Sequence, residues 1–111
     1  MSRSTPSPRL TPAVLHILLA LADGPLHGYA IMQAVEESGG ADGRMGPGTI
    51  YGWLQRMEAT GLVREVAARS DARRRVFALQ PAGRRALESE AHRPTKLAAL
   101  VRAKRLITKG A

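Results

Sequence analysis

Apolar side chains recur at helical spacing along the N-terminal half of the chain. One set follows the i, i+3, i+4, i+7 pattern of a single helix face: Val14, Ile17, Leu18 and Leu21. Thr11-Pro12 combines an N-cap residue with a proline suited to the first helical turn, and Gly24-Pro25 ends the pattern. The sequence therefore predicts a first helix that begins at about Pro12 and ends before Gly24.

Two further helices with the same apolar spacing follow. The second begins near His27-Gly28 and stops at Ser38-Gly39-Gly40, and a glycine-rich loop over residues 39–46 comes after it. Its apolar residues share one side: Ile31, Met32 and Val35. The third helix opens at Gly46-Pro47, and Gly61 stands where a left-handed C-cap belongs. Its apolar residues are spaced by four and three: Ile50, Leu54 and Met57.

The pattern becomes typical of β-structure after the third helix. Leu62 to Val66 and Arg75 to Leu79 are short runs rich in β-branched and apolar residues. The segment between them, Ala67 to Arg74, is polar and charged. The sequence predicts a two-stranded hairpin with this segment as its connector.

The C-terminal segment predicts a fourth helix that starts at about Gln80-Pro81. Pro94 removes one backbone donor and presses on the preceding turn, so we expect a break or kink near residues 91–93. Beyond it, several apolar residues roughly share a face between basic neighbours: Leu97, Leu100, Val101 and Ile107.

The length of 111 residues fits one domain with an arm. We expect a flexible tail over 1–10, a helical and hairpin domain over 11–80, and a helical arm over 81–108. The chain has no cysteine, which excludes disulfides, thiolate zinc sites and thiol catalysis. The longest apolar run, residues 13–22, is too short to span a membrane, and residues 1–10 lack a secretory signal, so we expect a cytoplasmic protein.

Positive charge is the compositional feature that bears most on function. Seventeen Lys and Arg against nine Asp and Glu give a net charge of +8, which favours a polyanionic partner. The excess lies in the hairpin and the last helix, whereas residues 11–60 are net acidic. Double-stranded DNA is the partner that this distribution and the element order indicate.

Three helices, a hairpin and a further helix, in that order, predict a mostly α, α+β fold of the winged helix-turn-helix type. In such domains the third helix enters the major groove and the hairpin lies on the phosphate backbone. With its apolar residues inward, the third helix presents Gly48 and Gly52 outward among polar side chains. We expect Thr49 and Tyr51 to suit phosphates, and Gln55 and Arg56 to reach base edges. An ordinary solvated helix face is the alternative.

The hairpin connector ends in the densest cationic cluster, Arg73-Arg74-Arg75, with Arg69 nearby in sequence. Side chains alternate along a strand, so at most two of the three can reach one line of phosphates. We expect these arginines to bind the DNA backbone and to add affinity without reading sequence. The alternative is a solvated charged loop.

Several local motifs closely resemble the signature of PadR-type transcriptional regulators across residues 11–90. They are His27-Gly28-Tyr29-Ala30-Ile31, then Gly48-Thr49-Ile50-Tyr51 with 54–58, Gly61-Leu62-Val63, and the wing-like stretch 74–84. The resemblance implies a bacterial DNA-binding homodimer, usually a repressor. It also implies a C-terminal helix that exchanges contacts with the partner subunit, and small aromatic or drug-like effectors that release the DNA.

The arm also predicts a dimer on physical grounds, because its apolar residues follow a domain whose core the first three helices and the hairpin already supply. Burying each is worth about 1.5–3 kcal/mol. The residues expected at the dimer interface are Leu87, Leu97, Leu100, Val101 and Ile107. An arm that folds back onto its own domain is the alternative.

Other chemistry is not indicated. His16, His27 and His92 lack metal-ligand spacing, and Gly46-Pro47-Gly48-Thr49 lacks the lysine of a phosphate-binding loop. We expect no enzyme, no metal and no cofactor. We expect His27 to cap the second helix, Gly28 to let the first helix approach, and Trp53 to pack against the hairpin or the dimer helix.

The competing functional hypothesis is a winged-helix module that binds an acidic protein; a basic helix lying on anionic membranes ranks last.

Overall fold

A computed structural model describes residues 10–39, 46–66 and 75–104. These form five helices and three strands in the order α1 Pro12–Ala20, β1 Leu26–His27, α2 Gly28–Glu37, α3 Pro47–Ala59, β2 Val63–Val66, β3 Val76–Leu79, α4 Pro81–Glu90 and α5 Lys96–Ala103. The three helices and two strands predicted from the periodicity are confirmed. The N-terminal tail, most of the loop over 39–46, the hairpin connector, Arg69, Arg73, Arg74 and Ile107 lie outside the described residues.

Local capping interactions fix the helix ends where the sequence predicts them. The Thr11 hydroxyl accepts the N–H of Val14 at 3.3 Å, and Nδ1 of His27 accepts the N–H of Ala30 at 3.4 Å. Gly61 follows the end of α3 and has a left-handed φ of +83°, a conformation that glycine adopts at little cost in free energy. The predicted capping role of His27 and the predicted C-cap glycine are thus confirmed.

The sheet is antiparallel with the strand order β1-β3-β2. β2 and β3 pair from Val63 opposite Leu79 to Val66 opposite Val76, while Leu26 of β1 pairs with Phe77. The predicted two-stranded hairpin was therefore incomplete, because β1 adds a third strand. A two-residue strand carries no periodicity of its own and forms only because β3 offers it a free edge.

The core lies between the first three helices and one face of the sheet. Fully buried side chains come from every layer: Ile17, Leu18, Ile31, Val35, Ile50, Leu54 and Phe77. α4 closes this core from the other side, where Gly83 packs so tightly that a Cβ would collide with the carbonyl oxygen of Leu62. This packing holds α4 against α1 and the sheet.

The chain turns back after α4. A bend over 91–95, which contains Pro94, separates α4 from α5 and confirms the predicted break. The Thr95 hydroxyl accepts the N–H of Ala98 at 2.9 Å and so starts α5, and Nη1 of Arg102 donates to the carbonyl of Ala91 at 2.7 Å. Nζ of Lys104 lies 2.7 Å from a carboxylate oxygen of Asp23, at the end of α1. α5 is therefore fastened to its own domain.

This return corrects the dimerisation assignment for two residues. Leu87 and Val101 are 0% exposed and belong to the core of their own chain, so they are not available to a second copy in this conformation. The bend at Pro94 is the physical reason, because it directs α5 back toward α1 instead of outward. Leu97 is half-buried, and Leu100 remains 37% exposed.

Candidate nucleic-acid interface

The outer face of α3 is open to solvent along its length. Its inner residues, Ile50, Leu54 and Met57, are buried as predicted. On the opposite side five residues are exposed: Gly48, Thr49, Gln55, Arg56 and Ala59. A Cβ added at Gly48 or Gly52 would meet no atom of residues 10–39, 46–66 or 75–104 within 4 Å. This face therefore offers donors at its flanks and a low, glycine-lined centre that another surface can approach closely.

Tyr51 joins α3 to its neighbours. The side chain is half-buried, and its ring centroid lies 6.2 Å from that of Phe77 on β3. Its hydroxyl end lies so close to Gly28 that any Cβ there would collide with it. Gly28 thus admits Tyr51 of α3, and not α1 as the sequence suggested. This packing makes Tyr51 an anchor of α3, beyond the phosphate contact predicted for it.

Arg56 and Trp53 form a stacked pair on α3. The guanidinium carbon of Arg56 lies 4.5 Å from the centroid of the Trp53 ring, within the range of a cation–π interaction. Trp53 is half-buried and packs against the core, and its contact with the hairpin or the dimer helix stays a prediction. Because Arg56 is exposed, its guanidinium can swing away from the ring to another partner.

Arg75 is held by the molecule itself. Its Nε and Nη2 donate to the two carboxylate oxygens of Glu65 at 3.1 and 3.0 Å. The hydrogen bonds from Arg75 hold the pKa of the Glu65 carboxyl below its ordinary value, and the same bonds raise the pKa of Arg75. The guanidinium carbon also lies 5.5 Å from the centroid of the Tyr51 ring and 5.4 Å from that of Phe77.

An exposed tyrosine on α2 borders the same region and was not singled out from the sequence. Tyr29 is 59% exposed, and its hydroxyl accepts from Nε2 of Gln33 at 3.5 Å. A notch of about 70 Å³ separates it from Tyr51, and Gly28 and Met32 complete the lining. The available signal was an aromatic residue opposite the apolar side of the second helix, which is hard to distinguish from a solvated position.

The described residues also bear on two other classes of site. No helix among them is long and apolar enough to cross a membrane. Over the same ranges, no cluster of three or more His, Asp or Glu side chains could hold a metal ion.

Helix α3, supported by two preceding helices and flanked by a three-stranded antiparallel sheet, defines a winged helix-turn-helix protein. The profile of the transcriptional regulator PadR-like family matches residues 17–89. The chain belongs to this family.

The chain is also similar to two curated proteins and to a solved structure. An uncharacterized 37.1 kDa protein in transposon Tn4556 of Streptomyces fradiae is 50% identical over 93 residues; the match covers 84% of this chain but 26% of that protein. The transcriptional regulator Rv3488 of Mycobacterium tuberculosis is 42% identical over 77 residues, covering 68% and 69%. Bacillus subtilis PadR in complex with operator DNA has the same fold, with a TM-score of 0.59 at 23% identity over 74% of this chain and 48% of that one.

Proposed function

We propose that the chain is a sequence-specific, double-stranded DNA-binding transcriptional regulator that acts as a dimeric repressor. The open, glycine-lined outer face of α3 beside the sheet is the observation that carries the proposal. A major groove admits one helix if that helix presents no bulky obstacle. Bacillus subtilis PadR, which shares this fold and was solved in complex with operator DNA, supports DNA as the partner.

Each exposed side chain of α3 then has a role set by its chemistry. The Thr49 hydroxyl, at the start of the helix, suits a phosphate oxygen. Gln55 can form a bidentate pair with adenine, and Arg56 can pair with guanine once it leaves the Trp53 ring. Arg73 and Arg74, at the hairpin connector, are proposed to bind phosphates.

A dimer would place two copies of α3 on successive turns of one face of DNA. Of the residues predicted at the interface, Leu100 is exposed and Leu97 half-buried on α5, and Ile107 follows in sequence. We propose that this outer side of α5 meets a second copy. The proposed operator is accordingly pseudo-palindromic, with half-sites about 10–10.5 base pairs apart or a multiple of that.

A small aromatic effector would need a recess in which to bind. A cleft of about 440 Å³ opens between α1, α2 and the end of α5, with apolar walls that include Leu19 and Leu26 and a polar rim that includes Glu37 and the Asp23–Lys104 pair. An effector seated there would act on the attachment of α5. Titration of operator complexes with a panel of small aromatic compounds tests this part of the proposal, and DNA release is the expected result.

Selection of bound fragments from random duplex DNA with the purified chain tests the proposal as a whole. The expected result is an enriched pseudo-palindrome that binds at least about 10³-fold more tightly than scrambled duplex at physiological salt. A ratio near one would refute sequence-specific regulation and would favour the protein-interaction module, whose acidic partner could then be sought.

A further inference from the structure

Arg75 lies at the junction of three elements. Glu65 of β2 accepts two hydrogen bonds from one edge of its guanidinium, while the rings of Tyr51 from α3 and Phe77 from β3 lie at 5.5 and 5.4 Å from the guanidinium carbon. A carboxylate oxygen of Glu58 on α3 accepts the backbone N–H of Glu65 at 3.2 Å. The wing, formed by β2 and β3, is thus tied to the proposed recognition helix by the Glu58–Glu65 hydrogen bond and by the contact of Arg75 with the Tyr51 ring.

The chemistry of this junction suits holding the wing in position better than binding a phosphate. A planar guanidinium matches a carboxylate through two parallel hydrogen bonds and can also lie against aromatic rings. Arg75 and Glu65 together carry no net charge, so the pair adds little attraction for phosphate. A phosphate that bound Arg75 would have to break both of its hydrogen bonds to Glu65, and the Glu65 carboxylate would then face the DNA.

We infer that Arg75 is a positioning residue: Glu65 clamps it against Tyr51, and this clamp sets the angle of the wing relative to α3. The inference rests on the proposed function and deepens it, because the sequence alone grouped Arg75 with the phosphate-binding arginines. Its consequence is that DNA affinity depends on the shape and partner of the residue at 75, not only on its charge.

The clamp can be measured without DNA, by hydrogen exchange of the full chain. The reporter is the backbone N–H of Glu65, which is protected by Glu58. Arg75→Lys and Glu65→Gln each remove the bidentate pair, so exchange at this amide should accelerate about two- to fivefold. The N–H of Leu62, bonded to the carbonyl of Met57 in the α3 cap, is the internal control and should not change. Unchanged exchange at residue 65 in both variants would overturn the inference.

DNA titrations then separate positioning from phosphate binding by the sign of the effect. Positioning predicts that Glu65→Gln weakens operator binding about two- to fivefold, although a negative charge is removed, and that Arg75→Lys does the same. Glu36→Gln, at an exposed carboxylate near the end of α2, is the matched control and should have little effect. If Arg75 bound phosphate, Glu65→Gln would tighten binding and Arg75→Lys would preserve it.

Salt dependence supplies the last readout. Arg75→Gln should lower operator affinity without changing the slope of log affinity against log salt concentration. A slope reduced by about 0.9 would mean one lost phosphate contact and would overturn the inference. If the wild-type chain binds operator and scrambled duplex equally, the proposed function fails, while the hydrogen-exchange result still decides whether the clamp exists.

Discussion

Glycine occupies two positions near the proposed interface, 28 and 52, for opposite reasons. At Gly28 the space of a side chain is already filled by Tyr51, so packing within the chain requires glycine. At Gly52 a side-chain carbon would have no neighbouring atom within 4 Å, so nothing in the described part of the chain requires glycine there. A residue that the fold does not need, and that costs helix stability, points to a requirement outside the chain.

Gly52→Ala tests that requirement. Alanine in a helix interior is more stable than glycine by about 0.5–1 kcal/mol, so the free energy of unfolding in urea should rise by that amount. Operator affinity should nevertheless fall, because the new methyl group would stand between α3 and the groove floor.

Gly28→Ala is the matched comparison. It should lower the free energy of unfolding by about 1–3 kcal/mol, since Tyr51 must shift. A Gly52→Ala variant that is more stable and binds operator as well as the wild type would contradict close approach at this position.

At the scale of elements, periodicity and caps predicted α1, α2, α3 and the two longer strands, because each buries one face and ends at a local signal. β1 could not be found this way, since its two residues pair only through the edge of β3. The outward side of α3 could likewise be predicted from the sequence, but the Glu65–Arg75 pair could not. Which cation meets which carboxylate depends on strand register, and register is a tertiary property.

The contact between α1 and the end of α2 should make stability depend on pH. Nδ1 of His16 lies 2.7 Å from the hydroxyl oxygen of Ser38, which itself donates to the carbonyl of Val35. His16 is 8% exposed, and burial lowers its pKa. As the pH falls, His16 is therefore protonated at a higher pH in the unfolded chain than in the folded chain.

We expect the free energy of unfolding to fall as the pH drops below about 6.5, the ordinary pKa of histidine, and to level off below the folded pKa of His16. Urea unfolding between pH 5 and 8 checks this. His16→Gln should remove that part of the pH dependence, whereas His92→Gln, at an exposed position, should retain it. Identical pH profiles for the wild type and His16→Gln would contradict the account.

At the scale of the whole molecule, the two sides of α5 have different surroundings. Its inner side completes the core through Val101 and Ala98, both buried, and its outer side exposes Leu100. The sequence analysis favoured a partner over the chain's own domain as the cover for five apolar residues of the arm, because periodicity shows that a face is apolar but not which surface covers it. They are Leu87, Leu97, Leu100, Val101 and Ile107. The bend at Pro94 decided the matter in favour of the chain's own domain for the inner residues.

Leu87→Ala and Leu100→Ala should separate these roles. Leu87→Ala removes a fully buried side chain and should cost about 2–5 kcal/mol of unfolding free energy at any protein concentration. Leu100→Ala should change the unfolding of the isolated chain by less than about 0.5 kcal/mol while weakening self-association in sedimentation equilibrium. If Leu100→Ala leaves association unchanged, the outer side of α5 is not the dimer surface.

The central claim, that the outer face of α3 reads DNA bases, is tested most directly by the affinity of Gln55→Ala for the selected operator and for scrambled duplex. Gln55 is exposed at the centre of that face, and its replacement removes no core contact. The account predicts a loss of about 1–3 kcal/mol on the operator and almost none on scrambled duplex. An equal loss on both duplexes, or none on either, would contradict base reading by this helix.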